Sequence, residues 1–319
     1  MGINCGALRQ LLYLMPFGVS LHGQAVQPDE LRVRRATIWS EGTRMSAEVY
    51  APKGSEGKRL PTVIMSHGWG GTAAMLRRQA AEIAKAGYLT VAFDYRGWGE
   101  SEARVILTKP GRAEKPGGTF LAEVREIREV VDPIDQATDI ENVVHWVHGE
   151  ADCDPKRIGL WGTSYSGGHV VHAAAMDHRV KALVSQVGGM DSRFVVANEA
   201  ARAATYDGAT RRARGELGYP PPRAVVIGKL QGGPVAEKMI HYAPVNEAGS
   251  APNCAMLFIV AEKEELFDNR DHAVKAHALA KGPKKLVSIP GIAHYGIYNE
   301  ARVEATRLAI EWFDAHLKN

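Results

Sequence analysis

Cysteine is scarce in this chain. Three stand in 319 residues, Cys5, Cys153 and Cys254, and their spacing makes neither a disulfide framework nor a zinc site. Charge of one sign is also missing: the formal net charge is +3 and no block of consecutive basic residues occurs, so a nucleic-acid partner has no footing. Beyond the first residues no apolar run approaches the roughly 20 residues that a membrane-spanning helix needs. There is no Tyr-x-x-x-Lys and no His-Glu-x-x-His, which leaves a dehydrogenase without its usual base and a metalloprotease without its usual ligands.

What is present begins with an apolar stretch. Arg9 precedes LLYLMPFGVSL and then HGQAVQ, in which Gly23-x-Ala25 is a small-x-small pair. Residues 1–25 therefore read as an export signal, which would place the mature protein in the periplasm or outside the cell. Without that signal it would be cytoplasmic. Residue Gly6 stands where a myristoylation motif needs Ser or Thr. Cys153 and Cys254 each precede an expected strand, and two buried thiols are expected rather than a bridge.

From LRVRRATIWSEG onward the chain reads as a β-region followed by repeated strand–helix alternation. The strands are LPTVIMS, YLTVAFDY, RIGLWG, KALVSQVG, AMLFIVAE and KLVSIPG. Helical spacing marks Leu76, Ala80, Ile83 and Ala84, and again Ile140, Val143, Val144 and Val147, introduced by the capping pair Asp132-Pro133. A last helix carries Ala305, Leu308, Ala309, Trp312 and Phe313 on one stripe. Such alternation predicts an α/β domain over 26–319, with a mostly parallel central sheet covered by helices on both faces. Two stretches break the rhythm, 101–131 and 190–253. A segment as long as the second is expected to be an inserted lid. Its six arginines between Arg193 and Arg223 are expected on a solvated face rather than around an anionic substrate.

The stretch WGTSYSGG, residues 161–168, holds two serines in a strand–turn–helix context. A nucleophilic serine in such a turn needs small residues two before and two after it. Gly162 and Ser166 satisfy this around Ser164; Ser164 and Gly168 satisfy it around Ser166. Because IGLW ends immediately before Gly162, the turn falls on Ser164, which is the expected nucleophile. A serine hydroxyl needs a base, and the base needs a carboxylate to fix its tautomer. His294 lies in the loop after the last strand, between Pro290-Gly291 and Tyr295-Gly296. The acid should follow AMLFIVA, where Glu262, Glu264, Glu265 and Asp268 compete; Glu264, mid-loop, is favoured and Asp268 is second. The oxyanion hole needs two backbone N–H donors, expected from Tyr165 and from Trp69 in the loop HGWGG.

With these residues placed, the chain from about residue 30 resembles the α/β-hydrolase superfamily. HGWGG looks like its oxyanion loop, DYRGWGES like its next strand-end turn, GTSYSGG like its nucleophile elbow, and the late histidine like its base. EKEEL resembles its G-x-x-D-E-L acid loop, aligning Glu264 with the usual aspartate and Ala261 with the usual glycine. The set Gly162, Ser164, Tyr165 and Gly167 is similar to the motif of X-Pro dipeptidyl-peptidase and cocaine-esterase-like enzymes. The AHYGIY ending and the length are similar to dienelactone-hydrolase-like and acetyl-esterase-like members. The resemblance implies a Ser-His-acid hydrolase of a small-molecule ester or related acyl substrate, working without a cofactor, with peptide, thioester or lactone cleavage as alternatives on the same triad. Ser166 in place of the second elbow glycine and a glutamate as the acid depart from the usual pattern.

One rival shares the glycine loop. Gly68-x-Gly70-x-x-Ala73 follows a strand, and Asp94 ends the next strand 21 residues after Ala73, the spacing of an NAD(P)-binding fingerprint. A second rival is a non-catalytic protein on the same fold. His169 and His172 share a helix but lack an obvious carboxylate partner for a metal.

Overall fold

The computed structural model describes residues 30–109, 117–226 and 230–318. The export-signal reading of residues 1–25 lies outside them.

The chain opens with an antiparallel hairpin, β1 (Leu31–Ser40) and β2 (Thr43–Pro52), and then enters the alternation with β3 (Leu60–Ser66), α1 (Arg77–Lys85) and β4 (Leu89–Phe93). The excursion after β4 forms a small antiparallel hairpin of β5 (Arg104–Leu107) and β6 (Val124–Ile127), followed by the two-residue β7 (Val130–Val131). Helix α2 (Pro133–His148) starts where expected. The Asp132 carboxylate accepts the Ile134 and Asp135 N–H groups, and Pro133 occupies the first helical position, where its missing N–H costs nothing.

Next come β8 (Cys153–Thr163), α3 (Ser166–Met176) and β9 (Val180–Gln186). The long insertion contributes α4 (Glu199–Ala213), β10 (Gly233–Pro234) and α5 (Ala236–Met239), and β10 pairs in parallel with β7. The chain closes with β11 (Ala255–Ala261), α6 (Lys275–Leu279), β12 (Lys284–Ile289) and α7 (Arg302–Leu317).

The eight-stranded sheet runs β1-β2-β4-β3-β8-β9-β11-β12, antiparallel among β1, β2 and β4 and parallel from β4 onward. Alternate side chains of a strand point to opposite faces, and both faces here are apolar. Ile64, Leu160 and Phe258 pack with Ile140, Val144 and Val170 of α2 and α3. Met65, Trp161 and Ile259 pack with Ile83 of α1 and Ala305, Ala309 and Phe313 of α7 on the other face. Two helical layers therefore sandwich the sheet, the α/β-hydrolase architecture. Among the described residues no helix is long and apolar enough to cross a membrane.

Cys153 and Cys254 are free and buried. They begin or precede β8 and β11, which β9 separates in the sheet. The arginines of the insertion are largely spent on neighbours: Arg193 on Asp191, Arg211 on Asp207, Arg212 on Glu237, Arg214 on Glu216 and Arg223 on Glu129.

Candidate active site

Strand β8 ends at Thr163 and α3 starts at Ser166, so the reversal falls on Ser164, whose φ of +54° is left-handed. A side chain held there costs about 1–3 kcal/mol and persists only where the surroundings impose it. They do: the Ser164 N–H donates to Gln186 O at 2.8 Å, and its carbonyl accepts Gly167 N–H at 2.8 Å and Gly189 N–H at 3.0 Å. The turn is tight enough that a Cβ on Gly162 would sit 2.3 Å from the Ser166 carbonyl oxygen, and one on Gly68 2.6 Å from Ser164 Cβ. Ser166 has a different fate. It is fully buried, its hydroxyl accepts from Tyr95 at 3.0 Å and it is hydrogen-bonded to Ser66.

His294 opens a short 3₁₀ turn, His294–Tyr298, in the loop after β12. Its Nε2 is 3.0 Å from Ser164 Oγ, and its Nδ1 is 2.9 Å from each carboxylate oxygen of Glu264. The His294 and Glu264 side chains are 1% and 2% exposed. A carboxylate at Nδ1 holds the proton there and leaves the Nε2 lone pair facing the serine hydroxyl. The other acids of the loop have separate tasks. Glu262 accepts Gly291 N–H at 2.7 Å, and Glu265 accepts His294 N–H at 2.6 Å, fixing the backbone of the histidine turn. Asp268 is paired with Arg270, whose hydrogen bonds pull its carboxyl down to about 2. The structure thus brings Ser164, His294 and Glu264 together and turns Asp268 to a surface ion pair.

The amides of Trp69 and Tyr165 have no hydrogen-bond acceptor among the described residues. Tyr165 N–H lies at the N-terminus of α3, where the helix dipole favours negative charge. The side chains of both residues are anchored away from their amides. Trp69 Nε1–H donates to Gly232 O at 2.9 Å, Tyr165 OH is 2.8 Å from Ser192 Oγ, and the two rings pack at 5.2 Å. The contact with Gly232 ties the segment between β9 and β11 to the glycine loop after β3. Phe267 and Tyr295 stand edge-on to the His294 ring at 5.8 and 5.3 Å.

The dinucleotide reading meets a direct obstacle. Asp94, the expected ribose ligand, is buried and its carboxylate accepts Ala73 N–H at 2.6 Å and Glu100 N–H at 3.0 Å. The 21-residue spacing is that of a clamp between two loops. Gly68 and Gly70 are likewise occupied, Gly68 against Ser164 and Gly70 against Gln231 O. His169 bonds Tyr242 OH at 2.7 Å and Gln136 Oε1 at 3.2 Å, and burial pushes its pKa down to about 3. His172 pairs with Glu247 at 2.6 Å. Among the described residues no group of three or more metal-ligating side chains occurs.

Sequence reading did not single out Gln186, Gly189 or Tyr298, and it weighed Glu265 only as a candidate acid. Glu265 and Tyr298 lie inside the quoted motifs EKEEL and AHYGIY. Gln186 and Gly189 act largely through backbone groups that no residue-type pattern marks.

The family model described as X-Pro dipeptidyl-peptidase (S15 family) matches residues 41–212, a span holding the glycine loop and the serine turn. An uncharacterized 31.7 kDa protein of Escherichia coli, from the traX-finO intergenic region, is 28% identical over 316 residues, covering 87% of this chain and 97% of that protein. An alpha/beta hydrolase named GrgF, from Penicillium sp. sh18, has a similar solved structure: TM-score 0.68, 19% identity, 91% of this chain and 99% of that one. An acetyl xylan esterase from Paenibacillus sp. R4 superposes with a TM-score of 0.60 at 19% identity, over 92% of this chain and 87% of that one. At these identities the two solved structures speak for the fold.

Proposed function

Since the chain belongs to the X-Pro dipeptidyl-peptidase (S15) family, we propose that it is a serine hydrolase that cleaves a carboxylic ester of a small molecule through an acyl-enzyme. The observation that carries this reading is the continuous line from Glu264 through His294 to Ser164, with contacts of 2.9 and 3.0 Å. Ser164 Oγ attacks the ester carbonyl as His294 Nε2 takes its proton, and Glu264 stabilises the resulting imidazolium. The Trp69 and Tyr165 amides receive the oxyanion of the tetrahedral intermediate. When that intermediate collapses, the C–O bond to the alcohol breaks and His294 returns the proton to the departing oxygen. Water, deprotonated by the same nitrogen, then releases the acid. Each step is completed by groups of this chain, so the reading calls for no cofactor.

Ester is favoured over amide by leaving-group chemistry. An alkoxide departs from the intermediate more readily than an amine nitrogen, which must be protonated before its bond breaks. The acetyl xylan esterase has this fold, an analogy that agrees with the choice. The test compares kcat/KM for unactivated pairs with one acyl group, ethyl butyrate against N-ethylbutyramide and ethyl thiobutyrate, together with X-Pro anilides and γ-butyrolactone. Ethyl butyrate is expected to turn over fastest. Preferential cleavage of the amide, thioester, lactone or X-Pro anilide would contradict the ester assignment while retaining the nucleophile.

A further inference from the structure

A second connection joins the serine and histidine elements beside the Ser164–His294 contact. Tyr298 is the last residue of the short turn that His294 begins. Its hydroxyl lies 2.9 Å from Oγ1 of Thr163, the last residue of β8 and the one immediately before Ser164. Thr163 Oγ1 also accepts Gln186 Nε2–H at 3.1 Å, and Gln186 O takes the Ser164 N–H. One polar chain therefore runs from β9 through the end of β8 to the histidine turn. Gln186 and Thr163 are buried, and Tyr298 is half-buried.

The geometry around the bond makes it more than a staple. The Tyr298 ring lies edge-on to His294, with centroids 6.4 Å apart, so phenol and imidazole move as parts of one turn. On the other side, Thr163 shares a peptide bond with the strained Ser164. Glu265 fixes the His294 N–H, and Glu264 fixes Nδ1, but both acids lie on the loop after β11. Neither relates the histidine turn to β8. The Tyr298 hydroxyl spans those two elements directly, bonding Thr163 and interacting with the Ser164 side chain, beside the Ser164–His294 contact itself.

We infer that Tyr298, through Thr163, is a positioning residue that sets the distance between the Ser164 hydroxyl and His294 Nε2. The inference rests on the serine-hydrolase reading above and extends it to two residues beside the reacting atoms, Thr163 next to Ser164 in the chain and Tyr298, whose hydroxyl bonds Thr163 and also interacts with the Ser164 side chain. Its consequence is quantitative. Misplacement of reacting groups by about 1 Å costs on the order of 100-fold in rate, so partial loosening of this tie is expected to cost about 10-fold. Burial also pushes the Tyr298 phenol up to about 12, so it stays a neutral hydroxyl throughout the working pH range.

The test is the second-order rate at which a fluorophosphonate phosphonylates Ser164, followed by intact mass. In that reaction Ser164 Oγ bonds to phosphorus, fluoride leaves, and His294 accepts the hydroxyl proton, so the rate reports nucleophile activation without assuming an ester substrate. Tyr298→Phe keeps the ring and Thr163→Val keeps the shape; each removes one end of the bond, and Thr163→Ser retains the hydroxyl. Expected are a roughly 10-fold slowing in Tyr298→Phe and in Thr163→Val, and a double variant no slower than Tyr298→Phe, because that variant already removes the bond that Thr163→Val removes. Thr163→Ser is expected to label at close to the wild-type rate, and kcat for a cleaved ester should fall with KM unchanged. Melting curves accompany each variant, and Thr163→Val decides the matter if Tyr298→Phe does not fold. Wild-type labelling rates in the folded variants, with or without a lowered Tm, would overturn the inference and leave the hydrolase reading standing. A folded wild type that never labels would remove both.

Discussion

Glu264 and Asp268 lie four residues apart in one acidic loop, and composition cannot rank them. Backbone path and partner can. The Glu264 side chain is buried with both oxygens 2.9 Å from His294 Nδ1, whereas Asp268 pairs its charge with Arg270 at the surface. Replacing the orienting carboxylate by an amide inverts the tautomer preference of the histidine, which elsewhere costs about 10⁴-fold in kcat. Glu264→Gln is therefore expected to lower kcat at least about 10³-fold in the folded enzyme, and Asp268→Asn to leave steady-state kinetics near wild type. A large loss in Asp268→Asn with Glu264→Gln still active would reverse the assignment. The two serines are separated by the same reasoning. Residue-type rules permit either, but Ser166 lies in a buried hydroxyl cluster with Ser66 and Tyr95, and Ser164 alone faces an imidazole.

At the scale of elements, α3 does two jobs. Its N-terminus carries Tyr165 N–H beside Ser164, and its body is fastened through His169 to Gln136 on α2 and to Tyr242 in the insertion. That fastening has a pH dependence. An unfolded chain protonates this histidine near 6.5, but burial holds it neutral in the fold until about 3. Between those values the unfolded state binds more protons, so the contribution is fully present above 6.5 and is lost progressively as the pH falls toward 3. His67 and His272 shift in the same direction by burial. Urea midpoints for wild type are expected to fall on acidification through this window, and those of His169→Gln to fall less steeply. Parallel curves would show that His169 does not contribute.

Over the whole molecule, legibility followed periodicity. Strands buried on both faces announce themselves as short apolar runs such as AMLFIVA, and α2 and α7 as stripes of 3.6-residue spacing, so the alternation and the layers could be read in advance. The serine, the histidine and the glycine loop were visible because each sits at a strand end, where this architecture gathers its chemistry. The insertion was opaque for a physical reason. Only Thr205 of α4 is buried, so that helix has no apolar stripe to betray its packing. Its link to the site runs through Gly232 O, a backbone atom. The hairpin of β5 and β6 hid inside a Pro/Gly-containing stretch that broke the rhythm. Asp94 shows the converse hazard: a spacing can match a fingerprint when the side chain is a loop clamp.

The central claim is that Ser164, and not Ser166, is the nucleophile activated by His294. The most direct measurement is intact mass after fluorophosphonate treatment, paired with p-nitrophenyl butyrate hydrolysis, for wild type, Ser164→Ala and Ser166→Ala. The account predicts one adduct on wild type, none on Ser164→Ala with turnover abolished, and an adduct with most of the activity retained on Ser166→Ala. An adduct that survives in Ser164→Ala and disappears in Ser166→Ala, or a folded wild type with neither adduct nor turnover, would contradict it.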